Sequence, residues 1–296
     1  MKQHPATTAK LTEPELDEIR ALIEQRSAIL FDASRERFFS TRIREHLEEK
    51  NLGDGTELLK IVGGSSIEYE GLLERLLTQE TSFFRYPAVY DALEKKILPE
   101  IQERKFWESP RSLRIWSAGC STGEEPYSIA VTVSDALKFP EAWEIEILAT
   151  DVSRRALRHA ERGAYSRRSL GEVSLHQVET YFSPVKHGYQ VSPRIRRLIS
   201  FAQMNLVDSF YIGKLDCIFC MNVLMYFSAE RRLSILRRFY NALEPGGYFL
   251  LGHSETLSNV PVKFESIMLG DCLIYRKPTT ASVELRRTPA LVEGSL

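Results

Sequence analysis

The segment Ser117-Ala-Gly-Cys-Ser-Thr-Gly123-Glu-Glu-Pro126 joins a glycine-bearing loop to a pair of carboxylates. Its glycines are spaced Gly119-x-x-x-Gly123, which is not the G-x-G-x-x-G of a dinucleotide fingerprint. A pyrophosphate would sit at the N-terminus of the helix that follows. Glu124 and Glu125 stand there, and each would repel it by about 4 kcal/mol per charge pair at about 4 Å and an effective dielectric of about 20. The loop, with Gly119 in it, therefore suits a nucleoside without phosphate, preferably one that carries positive charge. Asp151, after Ala149-Thr150, stands where dinucleotide folds keep the acceptor for ribose hydroxyls. S-adenosylmethionine meets these demands, with an adenosine, a sulfonium and an ammonium group. Glu124 and Glu125 would also favour the helix dipole, but that leaves Asp151 and Asn222, in register with them, unexplained. Two further segments end strands with polar groups on the same side, Met204-Asn205-Leu206 and Cys220-Met221-Asn222.

Other chemistries find little support. Cys217-x-x-Cys220 lies on a strand, where residues three apart face opposite ways, so these read as buried thiols. The six histidines show no metal spacing, and four cysteines make no disulfide framework in a chain of 296 residues, so no metal is expected. With 39 basic and 40 acidic side chains the net charge is −1, which gives no global footprint for nucleic acid. The longest stretch free of Asp, Glu, Lys and Arg is Cys217–Ala229, thirteen residues, against the roughly 20 that a spanning helix needs. The N-terminus has no apolar signal core. A cytoplasmic monomer with no membrane insertion is the expectation.

The elements that must position these residues fall into two textures. Up to about residue 90 the chain reads as a small helical bundle. Thr12 and Glu15 form a capping box ahead of an apolar stripe at Leu16, Ile19, Ile23 and Leu30. A second helix, from about Ser34 to Lys50, stacks Phe39, Ile43 and Leu47 and carries two arginine columns, Arg35 with Arg42 and Arg37 with Arg44. A third begins at Asp54 and ends at Gly63-Gly64; Ile67, Leu72, Leu73, Leu76 and Leu77 suggest a fourth. Residues 88–106 read as a connecting helix. Strands at 113–117, 144–150, 196–204, 215–221 and 248–252 then alternate with helices, among them 228–243 closed by Pro245-Gly246-Gly247, and a hairpin turns at Gly270-Asp271. Such alternation implies an α/β fold with a doubly wound, mostly parallel sheet. Between Gly163 and residue 196 the alternation breaks, and short strands at Tyr189–Val191 and Leu198–Phe201 predict a small antiparallel β insertion over about 164–200. The expected organisation is a helical domain at 1–90, a sheet domain at 91–277 and a disordered tail at 278–296.

Four segments carry a resemblance: Thr81-Ser-Phe-Phe-Arg85, Trp116 to Ser128, Phe219-Cys-Met-Asn-Val-Leu-Met-Tyr-Phe227 and Gly252-His-Ser-Glu255. Over roughly residues 10–276, in order, the chain resembles the chemotaxis receptor methyltransferases, the CheR family. The resemblance implies a Rossmann-like methyltransferase sheet and transfer of the methyl group of S-adenosylmethionine to glutamates of methyl-accepting chemotaxis receptors, through their cytoplasmic domains. It implies cofactor contacts at Gln79, Thr81, Arg85, Glu125, Asp151, Asn205, Leu206, Met221 and Asn222, with Arg85 and Tyr226 in the family's proposed active-site positions. Gln79 stands where the family often has Asn, and keeps a polar contact; Met221 stands where it often has Arg, which implies either a backbone contact only or the loss of a salt bridge. A glutamate acceptor, with a pKa of about 4.3, is already ionised at neutral pH, so no general base is required. Arg85 can orient a carboxylate through its fork of donors, and Tyr226 can hydrogen-bond the acceptor oxygen. The columns Arg35/Arg42 and Arg37/Arg44 can steer Glu-rich receptor helices. The connection from Tyr181 to Tyr189 lacks the longer Gly-containing loop of members that dock a receptor peptide, so independence from a receptor tether is expected. The rival reading is a module that binds S-adenosylmethionine without turnover, as a sensor or adaptor in receptor signalling.

Overall fold

The computed structural model describes residues 11–78, 80–209, 212–258 and 260–279. Helix α1 (Glu13–Ser27) starts at the expected capping box of Thr12 and Glu15 and buries Leu16, Ile19 and Ile23. It stops at Ala28, whose φ of 66° is left-handed, so Leu30 lies beyond the helix rather than on its stripe. A 3-10 turn, Ala33–Arg35, leads into α2 (Glu36–Lys50), which buries Phe39, Ile43 and Leu47 completely. Each such side chain contributes about 1.5–3 kcal/mol. Arg35 thus precedes α2 rather than sitting in it. Helices α3 (Gly55–Gly64) and α4 (Ser66–Leu76) are capped by Asp54 and Ser65. Leu72, Leu73 and Leu76 are buried on α4, whereas Ile67, expected in its apolar stripe, is 80% exposed in the first turn. Helices α5 (Pro87–Ala92) and α6 (Leu98–Arg104) are joined by a π-helical turn at Leu93–Ile97 into one helical stretch.

From Arg111 the chain alternates as expected. The order is β1 (Arg111–Ala118), α7 (Glu124–Ala136), β2 (Trp143–Asp151), α8 (Arg154–Arg162), β3 (Ala164–Tyr165), α9 (Leu175–Tyr181), β4 (Phe182–Val185) and β5 (Gly188–Val191). Then come α10 (Pro193–Arg196), β6 (Ile199–Gln203), β7 (Leu215–Cys220), α11 (Ala229–Ala242), β8 (Leu243–Leu251), β9 (Glu265–Leu269) and β10 (Cys272–Arg276). The main sheet has the order β6-β2-β1-β7-β8-β10-β9. Its first five strands are parallel and β10 is antiparallel to both neighbours. A separate antiparallel sheet, β3-β5-β4, forms the insertion. Leu198–Phe201 does not belong to it: Ile199 pairs with Ile147, and β6 is an edge strand of the main sheet. Pro245-Gly246-Gly247 lies inside β8 rather than ending a helix, and β7 shifts register there between Leu215 and Cys217.

The α1–α4 helices share their core with one face of this sheet. Leu16, Ile19 and Leu47 join Trp116, Phe239 and Phe249, while the opposite face packs Ile115, Ile147 and Phe219 against α5–α7 and the insertion. Cys217 belongs to one face and Cys220 to the other, both as buried free thiols. Among the described residues no helix is long and apolar enough to cross a membrane. Of the tail expected to be disordered, residues 280–296 lie outside the described residues.

Candidate active site

A cleft of about 450 Å³ opens beyond the carboxyl ends of β1, β2 and β7, as ligand sites of open α/β sheets do. Thr81, Arg85, Gly119, Glu125, Asp151, Asn205, Leu206, Met221, Asn222 and Tyr226 all line it. Gln79 lies outside the described residues.

The β1–α7 loop is shaped by its backbone. Gly119 and Cys120 both donate their N–H to Thr150 O, at 2.8 and 2.9 Å, which folds the loop over the end of β2. Gly119 has φ +89°, and a Cβ there would lie 2.4 Å from Val223 Cγ2. Asp151 is held by two amides: Ser121 N–H donates to Oδ2 at 2.8 Å and Ser153 N–H to Oδ1 at 2.9 Å. Burial raises its pKa, and these amides oppose the rise. Glu125 accepts from Ser117 Oγ at 2.6 Å, and burial pushes it up to about 7. Glu124, one residue away on the helix, turns aside to accept from Thr122 Oγ1 at 2.6 Å and is not part of the cleft wall.

The rest of the cleft wall comes from separate pieces of chain. Phe84 and Tyr86 have left-handed φ of 51° and 78°, so Thr81–Pro87 is a tight turn, pinned where Phe84 N–H donates to Ser128 Oγ at 2.9 Å. This turn presents Arg85, whose Nη1 donates to Glu80 O at 2.5 Å and whose guanidinium lies 5.3 Å from the Tyr86 ring. Tyr226 sits in a 3-10 turn after β7, and its carbonyl accepts from Leu30 N–H at 2.8 Å. The Arg35 guanidinium covers its ring at 4.9 Å, and also lies 5.0 Å from Phe31 and 5.5 Å from Phe38. Arg35 therefore backs the cleft wall. Arg37, Arg42 and Arg44 are exposed on α2 and do not enter the cleft; Arg42 pairs with Glu45 at 2.8 Å. The Asn205 side chain is committed elsewhere, donating to Ser27 O at 2.9 Å and accepting from Val207 N–H at 3.3 Å, so it ties α1 to the β6–β7 connection.

Residues 79–271 match the family described as CheR methyltransferase, SAM binding domain. The chain belongs to the CheR methyltransferase family. It is similar to chemotaxis protein methyltransferase 1 of Pseudomonas aeruginosa, with 33% identity over 266 residues, covering 87% of this chain and 95% of that protein. A chemotaxis protein methyltransferase of Vibrio parahaemolyticus is 32% identical over 277 residues, covering 91% and 99%. A probable chemotaxis protein methyltransferase of Rhizobium etli is 34% identical over 245 residues, covering 80% and 90%. The protein is thus a chemotaxis-type methyltransferase that depends on S-adenosylmethionine.

The cleft of this CheR protein suits that cationic cofactor. Glu125 and Asp151 face it, and among the described residues neither is in an ion pair. A further carboxylate, Glu255, had no role in the sequence reading. Its Oε2 accepts from Asn222 N–H at 2.7 Å and Gly252 N–H at 3.1 Å, and its Oε1 from Met225 N–H at 3.2 Å. It holds Asn222 at φ 60° beside the cleft. The available signal was Gly252-His-Ser-Glu255 itself: a strand end leaves backbone donors that need a nearby acceptor. His253 is exposed and does not line the cleft.

Proposed function

We propose that this enzyme transfers the methyl group of S-adenosylmethionine to glutamate side chains of methyl-accepting chemotaxis receptors, giving glutamate methyl esters and S-adenosylhomocysteine. The observation that carries this reading is that one cleft is lined both by Glu125 and Asp151, neither in an ion pair among the described residues, and by Arg85 and the Arg35-backed Tyr226. The first pair suits a cationic nucleoside and the second an anionic acceptor.

Asp151, fixed by two amides, keeps lone pairs for ribose hydroxyls. Glu125 becomes a carboxylate opposite the ammonium group. Gly119 lets the backbone approach closely, and Thr81, Asn205, Leu206, Met221 and Asn222 complete the enclosure. Met221 and Asn205 act through backbone or apolar surface. When bound, the cofactor supplies an electrophilic methyl on a sulfonium. Arg85 spends one donor on Glu80 O and keeps others for the acceptor carboxylate. Tyr226 donates its hydroxyl to an acceptor oxygen and walls the pocket from water. The carboxylate needs no base, so catalysis is positioning, for which about 7–11 kcal/mol is available from proximity. Residues Arg37, Arg42 and Arg44 attract the acidic receptor helices, and the enzyme works as a monomer on their cytoplasmic portion.

The test is incubation of the protein with methyl-labelled S-adenosylmethionine and the cytoplasmic fragment of a chemoreceptor. Label that enters the fragment and leaves as volatile methanol in mild alkali identifies a glutamate ester. Tight binding of S-adenosylhomocysteine with no transfer to any receptor fragment would overturn the reading in favour of a sensor or adaptor.

A further inference from the structure

Between Ser153 and Arg197 the sequence holds ten Arg and Lys side chains against three Glu, in a chain whose net charge is −1. Nine of the ten are arginine. On α8 the buried face is Ala156, Leu157 and Ala160, and Arg154, Arg155, Arg158 and Arg162 are exposed opposite it. At 3.6 residues per turn these four fall within an arc of about 100° and extend about 12 Å along the axis. Arg196, from α10, reaches the same helix and donates to Glu161 O at 2.8 Å, so the arginine face continues past its C-terminus.

Internal carboxylates reach only the first turn of this helix, where Glu74 accepts from Ser153 Oγ at 3.3 Å and Arg155 N–H at 2.8 Å. Arg154 meets Glu70 at 3.4 Å, but among the described residues Arg155, Arg158, Arg162 and Arg196 have no ion pair. Arg154, Arg158 and Arg162 are spaced four apart, an arrangement that weakens a helix by like-charge repulsion. The face also has a defined starting point: Ser153, the N-cap of α8, lines the cleft, and Arg154 follows it.

We infer that the exposed face of α8 is a docking rail for an acidic polypeptide. Resting on the function proposed above, its occupant is the stretch of receptor helix that extends away from the glutamate seated in the cleft. Arginine forks suit carboxylates on a helical surface. The face is short, about 12 Å, and begins beside the cleft, which suits a slender acidic segment running out of it. This rail is separate from the arginines of α2.

The test is the double variant Arg158→Glu/Arg162→Glu, with Arg158→Lys/Arg162→Lys as the charge-preserving control. Glutamate at 158 lies four residues from Arg154, an attractive pairing, and glutamate at 162 keeps the like-charge spacing that Arg158 and Arg162 already have; an unchanged melting temperature verifies that the helix is retained. With the chemoreceptor cytoplasmic fragment as substrate, the reversal raises KM on the order of tenfold at low salt. The difference shrinks at high salt, while kcat and affinity for S-adenosylhomocysteine stay at wild-type values. The lysine control keeps most of the wild-type KM. An unchanged KM and salt dependence in the reversal variant would overturn the inference. So would reversal-sensitive binding to phosphatidylserine vesicles or duplex DNA with no effect on the receptor fragment. If the wild type fails to methylate the fragment, the proposed function fails first; calorimetric binding of the fragment to wild type and reversal variant then reads the rail on its own.

Discussion

Glu125 is the residue whose chemistry can be pressed furthest. Burial lifts its pKa from 4.5 to about 7, against the hydrogen bond from Ser117, because the carboxylate has no cation beside it. Two linked consequences follow. In the unliganded protein, a pKa raised in the folded state makes the protonated form the favoured one. That contribution to stability is fully present below about pH 4.5 and is lost as pH rises through about 7. At 1.36 kcal/mol per pKa unit the loss is about 3 kcal/mol. Asp151, Glu124 and Glu255 are also raised by burial and act in the same direction. Ligand binding has the opposite sign, since only the ionised carboxylate attracts an ammonium group. With a pKa of about 7, the ionised fraction falls from about three-quarters at pH 7.5 to about 3% at pH 5.5, so affinity drops about 25-fold. The variant Glu125→Gln keeps an acceptor for Ser117 but cannot ionise. Calorimetric titration with S-adenosylhomocysteine from pH 5.5 to 7.5 should show the steep profile in wild type and a flat, weak one in the variant. Thermal melts without ligand should show the variant more stable than wild type at pH 7.5. A flat wild-type profile, or a variant that melts below wild type at pH 7.5 while binding normally, would refute the reasoning.

Other residues give sharper single outcomes. Gly119→Ala forces a Cβ to within 2.4 Å of Val223 Cγ2 at φ +89°, so melting should report a loss of about 1–3 kcal/mol and S-adenosylhomocysteine binding should disappear. Glu255→Ala strands the amides of Asn222 and Gly252, costing about 2–4 kcal/mol in denaturant titration, and Glu255→Gln should recover part of it. Arg35→Ala removes the cation over the Tyr226 ring, worth about 0.5–2 kcal/mol; receptor methylation should slow about tenfold while S-adenosylhomocysteine affinity is unchanged. A peptide copying a receptor C-terminus should give no heat in calorimetry, because β4 and β5 meet through only Lys186 and His187; micromolar binding would remove the claim of tether independence.

The parts of this site legible in the sequence are those whose reason is local. The β1–α7 loop, Asp151 and the Met221-Asn222 pair each sit at a strand end, and parallel strands in register bring such ends together without further information. The paired glutamates were legible as a pair only: adjacent helix residues point about 100° apart, so one faces the cleft and the other meets Thr122. What stayed hidden depends on partners far away in the chain. Glu255 matters because its carboxylate caps amides of a loop some thirty residues earlier. Arg35 looked like one of four equivalent arginines, yet it precedes α2 and reaches Tyr226 across nearly two hundred residues, whereas Arg37, Arg42 and Arg44 stay on the helix surface. Asn205 had the right type and position for a ligand contact, but its amide is taken by Ser27 O. Ile67 failed as a core residue because it occupies the first turn of α4, ahead of the face that packs. Helix α8 shows the same asymmetry from the other side. Its arginines are plain in the sequence, but their meaning depends on where Ser153 lies, and that is decided by β2 and the cleft. A charged helix face gains direction only once the fold gives it a neighbour.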